Sequence, residues 1–565
     1  MPIDGPNRIR IGLAQINPIV GDIAGNLALV RRSIASLHSQ GAQIALFPEM
    51  VITGYPVEDL ALRPAFRRAS IEAVEALARE LAADGFGEIL VAIGFLDDDG
   101  RPLNSLALIH GGKVAARYVK RHLPNYGVFD EFRNFAPGDK SMVIRFGGID
   151  IGVAICEDIW RDEGPMAELA KRKPGLLLVP NGSPYERSKD DLRFELLKRR
   201  ARQINAPLVY VNMVGGQDDL VFDGDSIVVD KAGELVARAN QFHEQIFVVD
   251  LEVVRGTSDP DIVISDSIAT PSGQIAPSIA APLVESAEVW QALVTGLRDY
   301  VGKNGFQSVA LGLSGGIDSA LVATIAVDAL GADRVFGVSL PSKYSSSHSR
   351  EDALELAEKL GADIRTIEIE PVVSAYLAAT KLTGIAEENI QARVRGSLLM
   401  GISNQEGHLI LATGNKSELA VGYSTLYGDA VGGFAPIKDV FKVDVWRLAR
   451  WRNELAAKEG KVPPIPIRSI TKEPSAELHP GQRDSDSLPE YEELDQILEL
   501  YIDKGGDASA IVAAGFPRDL VERVINLVDR AEYKRRQYPP GPKVTAIAFG
   551  KDRRLPMTSR WREGK

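Results

Sequence analysis

The chain has 565 residues, several times the ~100–200 of a usual domain, so two or more domains are expected. Hydrophobic residues make up 45% and charged residues 25%, which excludes wholesale disorder and fibrous repeats. A net charge of −12 repels phosphate backbones; nucleic acid is disfavoured as the main partner, while a local basic pocket for a nucleotide stays open.

A single cysteine, Cys156, excludes an internal disulfide framework and a cysteine-based zinc cluster. The seven histidines show no HExxH or comparable metal spacing. The opening MPIDGPNRIR leads straight into a strand-like run, without the apolar core of a signal peptide, and no apolar run approaches about 18 residues. A soluble, cytoplasmic protein without membrane attachment is the expectation.

In chain order, strand-like runs fall at 9–16, 43–47, 88–96, 149–156, 175–180 and 207–213, with helical periodicity over 26–38 and 67–82. Two hairpin-like pairs, SLALI–HGG–KVAARYVK and DSIVVD–KAG–ELVARA, complete a pattern that reads as a sandwich of sheets flanked by helices. Residues 256–285 are rich in Ser, Pro, Gly and Thr and lack periodicity. The expected division is a first domain over 1–260, a linker over 261–285 and a second domain over 286–565. In that second domain a helix at 286–303 precedes strand–helix alternation: SVALGL (308–313), helix 318–330, strand 334–340, helix 349–360, strand 363–369, then LILATG (409–414) and another helix. This is the pattern of a doubly wound sheet. The polar stretch 470–488 reads as a mobile loop, either a lid or plain disorder.

Cys156 closes the run GVAIC, Glu49 follows the strand QIALF, and Lys120 ends the run RYVK. Taken singly, each has an ordinary explanation: an inert buried thiol, or a solvated strand terminus. Together, three strand ends would place a nucleophile, a general base and a fixed positive charge in one pocket. The blocks LFPEMVITGYPVEDL, RYVKRHLPNYGVFDE and GVAICEDIW, in this order, resemble the nitrilase (carbon–nitrogen hydrolase) superfamily and its glutaminase branch over roughly residues 8–255. The resemblance implies an αββα sandwich and a Glu49–Lys120–Cys156 triad that hydrolyses glutamine through a thioester. It also implies glutamine contacts at Tyr126, Ser183 and Lys189, with Glu131 as a second acidic residue assisting the lysine.

Farther on, SVALGLSGGIDSALVATIAVDAL (308–330) is strand, tight polar loop, helix. Small residues let backbone N–H groups approach an anion, and the helix points its positive end at the same place. GxxxxGK[ST] is absent, so this is not a P-loop. SGGIDS after an apolar strand resembles the pyrophosphatase loop of the ATP-pyrophosphatases, which cleave ATP between the α and β phosphates. ENIQARVRG (388–396), LATGNKSELAVGYSTLYGD (411–429), PIKDVFK (436–442) and AEYKRRQYPPGPK (531–543) extend the resemblance to the NAD⁺ synthetases, and with the upstream half to their glutamine-dependent branch almost end to end.

What that resemblance implies is amidation of deamido-NAD⁺ with ATP and glutamine through an adenylate, the ammonia passing along a sheltered route. Ser314, Gly315, Gly316, Ile317, Asp318, Ser319, Thr413 and Lys442 are the implied ATP contacts. Asn389, Arg393, Glu418 and Lys534 are the implied deamido-NAD⁺ contacts, and Asp318 and Glu418 the implied Mg²⁺ ligands. A homo-oligomer, often an octamer, goes with the family. LYGDAVGG stands where the ammonia-only synthetases carry a lysine-containing stretch, and no cation role is carried there. Rival amidotransferases fit less well: residue 2 is Pro, which excludes an amino-terminal cysteine nucleophile, and the G-x-C-x-G elbow of the GMP synthetases is absent. A catalytically silent sensor of glutamine and nucleotide would have no need of these chemical residues.

Overall fold

Alternation along β1 (Asn7–Gln15) sets the plan of the first half: Ile9, Ile11 and Leu13 face one way, while Arg10 faces the other and pairs with Asp250 at 2.7 Å. The computed structural model describes residues 7–561 and falls into two compact units. The first runs to Val284, apart from residues 218–220, which group with the second; the second resumes at Glu285.

In the first unit β1 is followed by α1 (Ile23–Ser39), β2 (Ile44–Leu46), α2 (Pro64–Ala83), β3 (Leu90–Asp98), β4 (Pro102–His110), β5 (Lys113–Val119) and the short α3 (Glu131–Asn134). Then come β6 (Met142–Phe146), β7 (Ile149–Val153), α4 (Pro165–Arg172), β8 (Leu176–Asn181), α5 (Lys189–Ile204) and β9 (Leu208–Asn212). The hairpin β10 (Val214–Gln217) and β11 (Leu220–Asp223) precedes β12 (Ile227–Val229), β13 (Leu235–Arg238), β14 (Gln245–Val253) and β15 (Ile262–Val263). One sheet has the order β14-β1-β2-β3-β4-β5 and the other β13-β12-β9-β8-β7-β6-β15.

Ile9, Ile11 and Leu13 pack against Ile151, Val153, Leu178 and Val209 of the opposing sheet. Each such buried aliphatic side chain contributes roughly 1.5–3 kcal/mol. The outer face of the first sheet is covered by Val30, Ile34 and Leu37 of α1 and Val74, Leu77 and Leu81 of α2. Met166 and Leu169 of α4 and Leu197, Ala201 and Ile204 of α5 cover the other sheet. The result is the expected αββα sandwich, and the hairpin expected from SLALI–HGG–KVAARYVK is present as antiparallel β4 and β5. The segment read as a linker is ordered along the first unit. β15 pairs in parallel with β6, and Ala280 N donates to Arg238 O at 3.0 Å. Such edge pairing uses backbone groups, which composition does not reveal.

The second unit opens with α6 (Glu285–Lys303), β16 (Val309–Gly312), α7 (Ile317–Leu330), β17 (Val335–Ser339), α8 (Ser347–Leu360) and β18 (Asp363–Thr366). There follow α9 (Glu370–Thr380), α10 (Ile385–Glu406), β19 (Leu409–Ile410), α11 (Lys416–Val421), α12 (Lys442–Lys458), α13 (Ile467–Thr471) and α14 (Tyr491–Leu498). The sheet is wholly parallel in the order β18-β17-β16-β19. The chain winds outward from β16 to β18 and then returns to the other side of β16. The carboxyl ends of β16 and β19 therefore flank a topological switch point, where such folds bind ligands. Among the described residues, no helix is long and apolar enough to cross a membrane.

Candidate active sites

In the first unit, Glu49 lies just beyond β2 and Lys120 just beyond β5, both in one sheet; Cys156 lies beyond β7 in the other. The turn that carries Glu49 passes directly over Gly94 of β3, where a Cβ would fall 2.3 Å from Met50 N. Glycine there permits the approach. Strand β7 stops at Val153, so Cys156 does not end a strand as expected. It opens a short 3₁₀ turn with φ +44°, a left-handed conformation that costs a non-glycine residue about 1–3 kcal/mol and recurs at functional sites.

Lys120 is fully buried and its Nζ lies 2.7 Å from Glu49 Oε1 and 2.9 Å from Glu131 Oε2. Glu49 Oε1 also accepts from Asn104 Nδ2 at 2.7 Å, and Oε2 from Gly182 N at 2.8 Å. Glu131 Oε1 accepts from Tyr55 OH at 2.8 Å. Burial works against the Lys120 ammonium, but Glu131, Glu49 and Cys156 outweigh it and hold its pKa well above the ordinary value. Burial pushes the Glu131 carboxyl up, opposed by Lys120. Burial, with Glu49 adding to it, also drives the Cys156 thiol well above its usual range, so the resting thiol is protonated. A buried thiol beside a carboxylate held by three donors is arranged for proton transfer during attack rather than for a standing thiolate.

Tyr126 is half exposed, and its OH donates to Glu157 Oε2 at 2.8 Å. Ser183 N donates to Asn212 Oδ1 at 2.9 Å. Burial and then the nearby Arg193 guanidinium lower the Lys189 ammonium to about 8. Tyr126 and Lys189, like Lys120 and Glu49, lie near enough to Cys156 to interact with it electrostatically.

In the second unit the loop after β16 turns at Gly315, φ +76°, where a Cβ would meet Ser349 O at 2.2 Å. Gly316 N donates to Ser314 Oγ at 3.2 Å and Ser319 Oγ to Gly316 O at 3.0 Å, bracing the entry to α7. A cavity of about 730 Å³ opens beside this loop. Its walls include Ser314, Gly316, Ile317, Asp318, Ser319, Thr413, Lys442, Asn389, Arg393, Glu418 and Lys534; Gly315 supplies the turn behind them.

Lys442 Nζ donates to Asp318 Oδ2 and lies 3.2 Å from Glu418 Oε1, so the two implied metal ligands aim at one cationic centre. Oxygen donors converging in this way suit a hard divalent ion that also carries phosphate oxygens. Among the described residues no group of three or more acidic, His or Cys side chains makes a complete metal site, so the other donors would be phosphate and water. Asn389 accepts from Thr425 Oγ1 at 2.8 Å, Arg393 Nε donates to Leu426 O at 3.2 Å, and Lys534 Nζ to Gly422 O at 2.7 Å. Three of the four implied deamido-NAD⁺ contacts are thus tied to residues 422–426. The stretch 470–488 is ordered along the same cavity: Asp484 is buried and accepts from Tyr423 OH at 3.2 Å and Tyr491 OH at 2.9 Å.

A carbon–nitrogen hydrolase family model matches residues 10–260, and an NAD synthase model residues 289–538. The glutamine-dependent NAD(+) synthetase of Thermotoga maritima is 44% identical over 580 residues, covering 98% of this chain and 99% of its own. That of Acinetobacter baylyi is 43% identical, with 98% and 99% covered. This chain belongs to the glutamine-dependent NAD⁺ synthetase family. Among solved structures, the glutamine-dependent NAD⁺ synthetase of Acinetobacter baumannii in complex with adenosine diphosphate is 40% identical. It covers 99% of this chain and 100% of its own, with a TM-score of 0.74.

Several residues at these synthetase-family sites escaped the sequence reading. Asn104 and Tyr55 hold the two glutamates, yet an Asn in mid-strand and a Tyr in a turn carry no sequence signal of their own. Asn415 does carry one: an Asn opening a short helix is a capping signature. Its Oδ1 accepts from Glu418 N at 3.0 Å and its Nδ2 donates to Asp318 Oδ1 at 2.9 Å.

Proposed function

We propose that this chain amidates deamido-NAD⁺ to NAD⁺ with ATP, taking the nitrogen from glutamine and releasing AMP, pyrophosphate and glutamate. The observation that carries the reading is the buried Glu49–Lys120 pair beside the buried Cys156 in the same chain as an SGGIDS loop opening on a large cavity. In the first unit, Glu49 takes the thiol proton as Cys156 Sγ bonds to the amide carbon, and Lys120 steadies the oxyanion. The C–N bond breaks, ammonia leaves with the proton, and a thioester remains. Water, deprotonated by Glu49, attacks the thioester and glutamate departs with the thiol restored. Tyr126, Ser183 and Lys189 are assigned to holding the glutamine.

In the second unit the nicotinate carboxylate attacks the α-phosphorus of ATP and pyrophosphate leaves. Ammonia then displaces AMP from the mixed anhydride, a far better leaving group than hydroxide. Ser314, Gly315, Gly316, Ile317, Asp318, Ser319, Thr413 and Lys442 are assigned to the ATP, and Asn389, Arg393, Glu418 and Lys534 to the deamido-NAD⁺. Asp318 and Glu418 would hold Mg²⁺, which when bound neutralises phosphate charge. A cytoplasmic homo-oligomer completes the proposal.

The test follows isotopic nitrogen. With amide-labelled glutamine, the label is expected in the nicotinamide amide, with AMP and glutamate formed together. Purified protein that makes no NAD⁺ from deamido-NAD⁺ with either glutamine or ammonia present would overturn it.

A further inference from the structure

The Asp158 side chain is wholly buried, two residues past Cys156, yet it faces the segment that carries Lys120. Its Oδ1 accepts from Arg121 N at 3.1 Å and His122 N at 2.8 Å. Its Oδ2 accepts from Ile155 N at 3.0 Å and Tyr118 OH at 2.8 Å. These donors flank the two catalytic positions: Tyr118, Arg121 and His122 bracket Lys120, and Ile155 immediately precedes Cys156. Lys120 follows β5 in one sheet and Cys156 follows β7 in the other, so one carboxylate ties together the ends of both sheets at the triad.

Packing alone does not call for a carboxylate here. A buried charge is costly unless its lone pairs are filled, and this one is filled mainly by backbone N–H groups. It touches neither the thiol nor the ammonium through a hydrogen bond. What it fixes is the path of the backbone into each. Cys156 needs that support, because it sits at φ +44°.

We propose that Asp158 is a positioning residue for glutamine hydrolysis, setting Cys156 against Lys120 through the backbone N–H groups beside each. This rests on the reading of Cys156 as nucleophile. An Asn at the same place keeps the shape but turns one acceptor into a donor facing N–H or O–H donors. The two sheet ends then part locally while the second unit is untouched.

The experiment uses the full-length chain and four variants: Asp158→Asn, Asp158→Glu, Tyr118→Phe and Cys156→Ala. Glutamine-driven and ammonia-driven NAD⁺ formation are measured, with kcat and KM for glutamine and the rate of iodoacetamide alkylation. The chain has one cysteine, so alkylation reports Cys156 alone. A displacement near 1 Å costs about 100-fold, so Asp158→Asn is expected to lower glutamine-driven kcat by about that factor, with KM within about threefold. Alkylation slows with it, and ammonia-driven synthesis is retained. Asp158→Glu keeps both acceptors but lengthens the tie; it is expected to lose about tenfold in kcat and safeguards the test if the Asn variant does not fold. Tyr118→Phe, which spares the backbone ties, is expected to stay within about threefold of the parent.

Parent-level kcat and alkylation in either folded Asp158 variant overturns the proposal. So does an equal loss of ammonia-driven synthesis, or a Tyr118→Phe defect as large as that of Asp158→Asn. Cys156→Ala separates the two levels: glutamine-driven synthesis that survives in it removes the underlying reading, whereas its loss beside a fully active Asp158→Asn removes only the positioning role.

Discussion

Glu49 and Lys120 meet at 2.7 Å, from strands at different places in one sheet, with no water-accessible surface on the lysine side chain beyond 1%. The carboxylate is held at both oxygens, so Glu49→Gln preserves much of the shape while removing the base. General-base catalysis contributes about 10²–10⁴-fold, and glutamine-driven NAD⁺ formation is expected to fall by that range. Ammonia-driven formation should stay at the parent rate. Assaying both donors on one preparation checks the pair; parallel loss of both would show that the glutamate serves the fold rather than the reaction.

Lys189 is expected to set a pH limit on the proposed glutamine site. Its ammonium is lowered to about 8 by burial and then by Arg193, with Glu186, Cys156 and Asp223 pulling the other way. Below that pH the side chain is charged and can bind the substrate carboxylate; above it the charge is lost. The glutamine kcat/KM is therefore expected to decline as pH rises through about 8, since this ratio reports the free enzyme. Lys189→Met should raise KM and abolish that decline. An unchanged alkaline limb in the variant would assign the titration elsewhere.

Much of the candidate site was legible in the sequence because most of its residues lie just beyond strands. Glu49, Lys120 and the SGGIDS loop follow apolar runs whose period marks them as strands, so their places needed no tertiary information. The triad was less legible at Cys156, where apolarity continues through Ala154 and Ile155 although the strand stops at Val153. Positive φ leaves no mark in composition. Asp158 and Asn104 were invisible for a different reason: their value lies in partners some 37 and 55 residues distant along the chain. The stretch 470–488 was polar and aperiodic, and what orders it is tertiary: Asp484 is held by Tyr423 and Tyr491, Glu477 accepts from Ser346 and Ser349, and Leu478 O accepts from Gln391.

Gly315 offers a sharp test of the second site. A methyl group there would lie 2.2 Å from Ser349 O, at a φ of +76° that alanine tolerates at a cost of about 1–3 kcal/mol. Backbone has to move, and with it the loop proposed to hold the ATP phosphates. Gly315→Ala is expected to lower kcat/KM for ATP by about 100-fold with either nitrogen donor. Glutamine hydrolysis in the first unit should persist, so glutamate release measured beside AMP release reads the difference.

Asn415 performs two jobs with two atoms, and they can be separated. Its Oδ1 caps α11 by accepting from Glu418 N, while its Nδ2 donates to Asp318 Oδ1. Serine caps a helix about as well as asparagine, but its hydroxyl is too short to span to Asp318. Asn415→Ser is therefore expected to unfold within about 0.5 kcal/mol of the parent and yet lower ammonia-driven synthesis, because Asp318 keeps its tie to Lys442 but loses the one that fixes its other oxygen. Asn415→Ala loses the cap as well, a further cost of about 1 kcal/mol, or about 1–2 °C in Tm for a unit of this size. Thermal denaturation and AMP release, run on both variants, distinguish the jobs. A serine variant with parent-level AMP release would mean that the bond to Asp318 does no more than fill a lone pair.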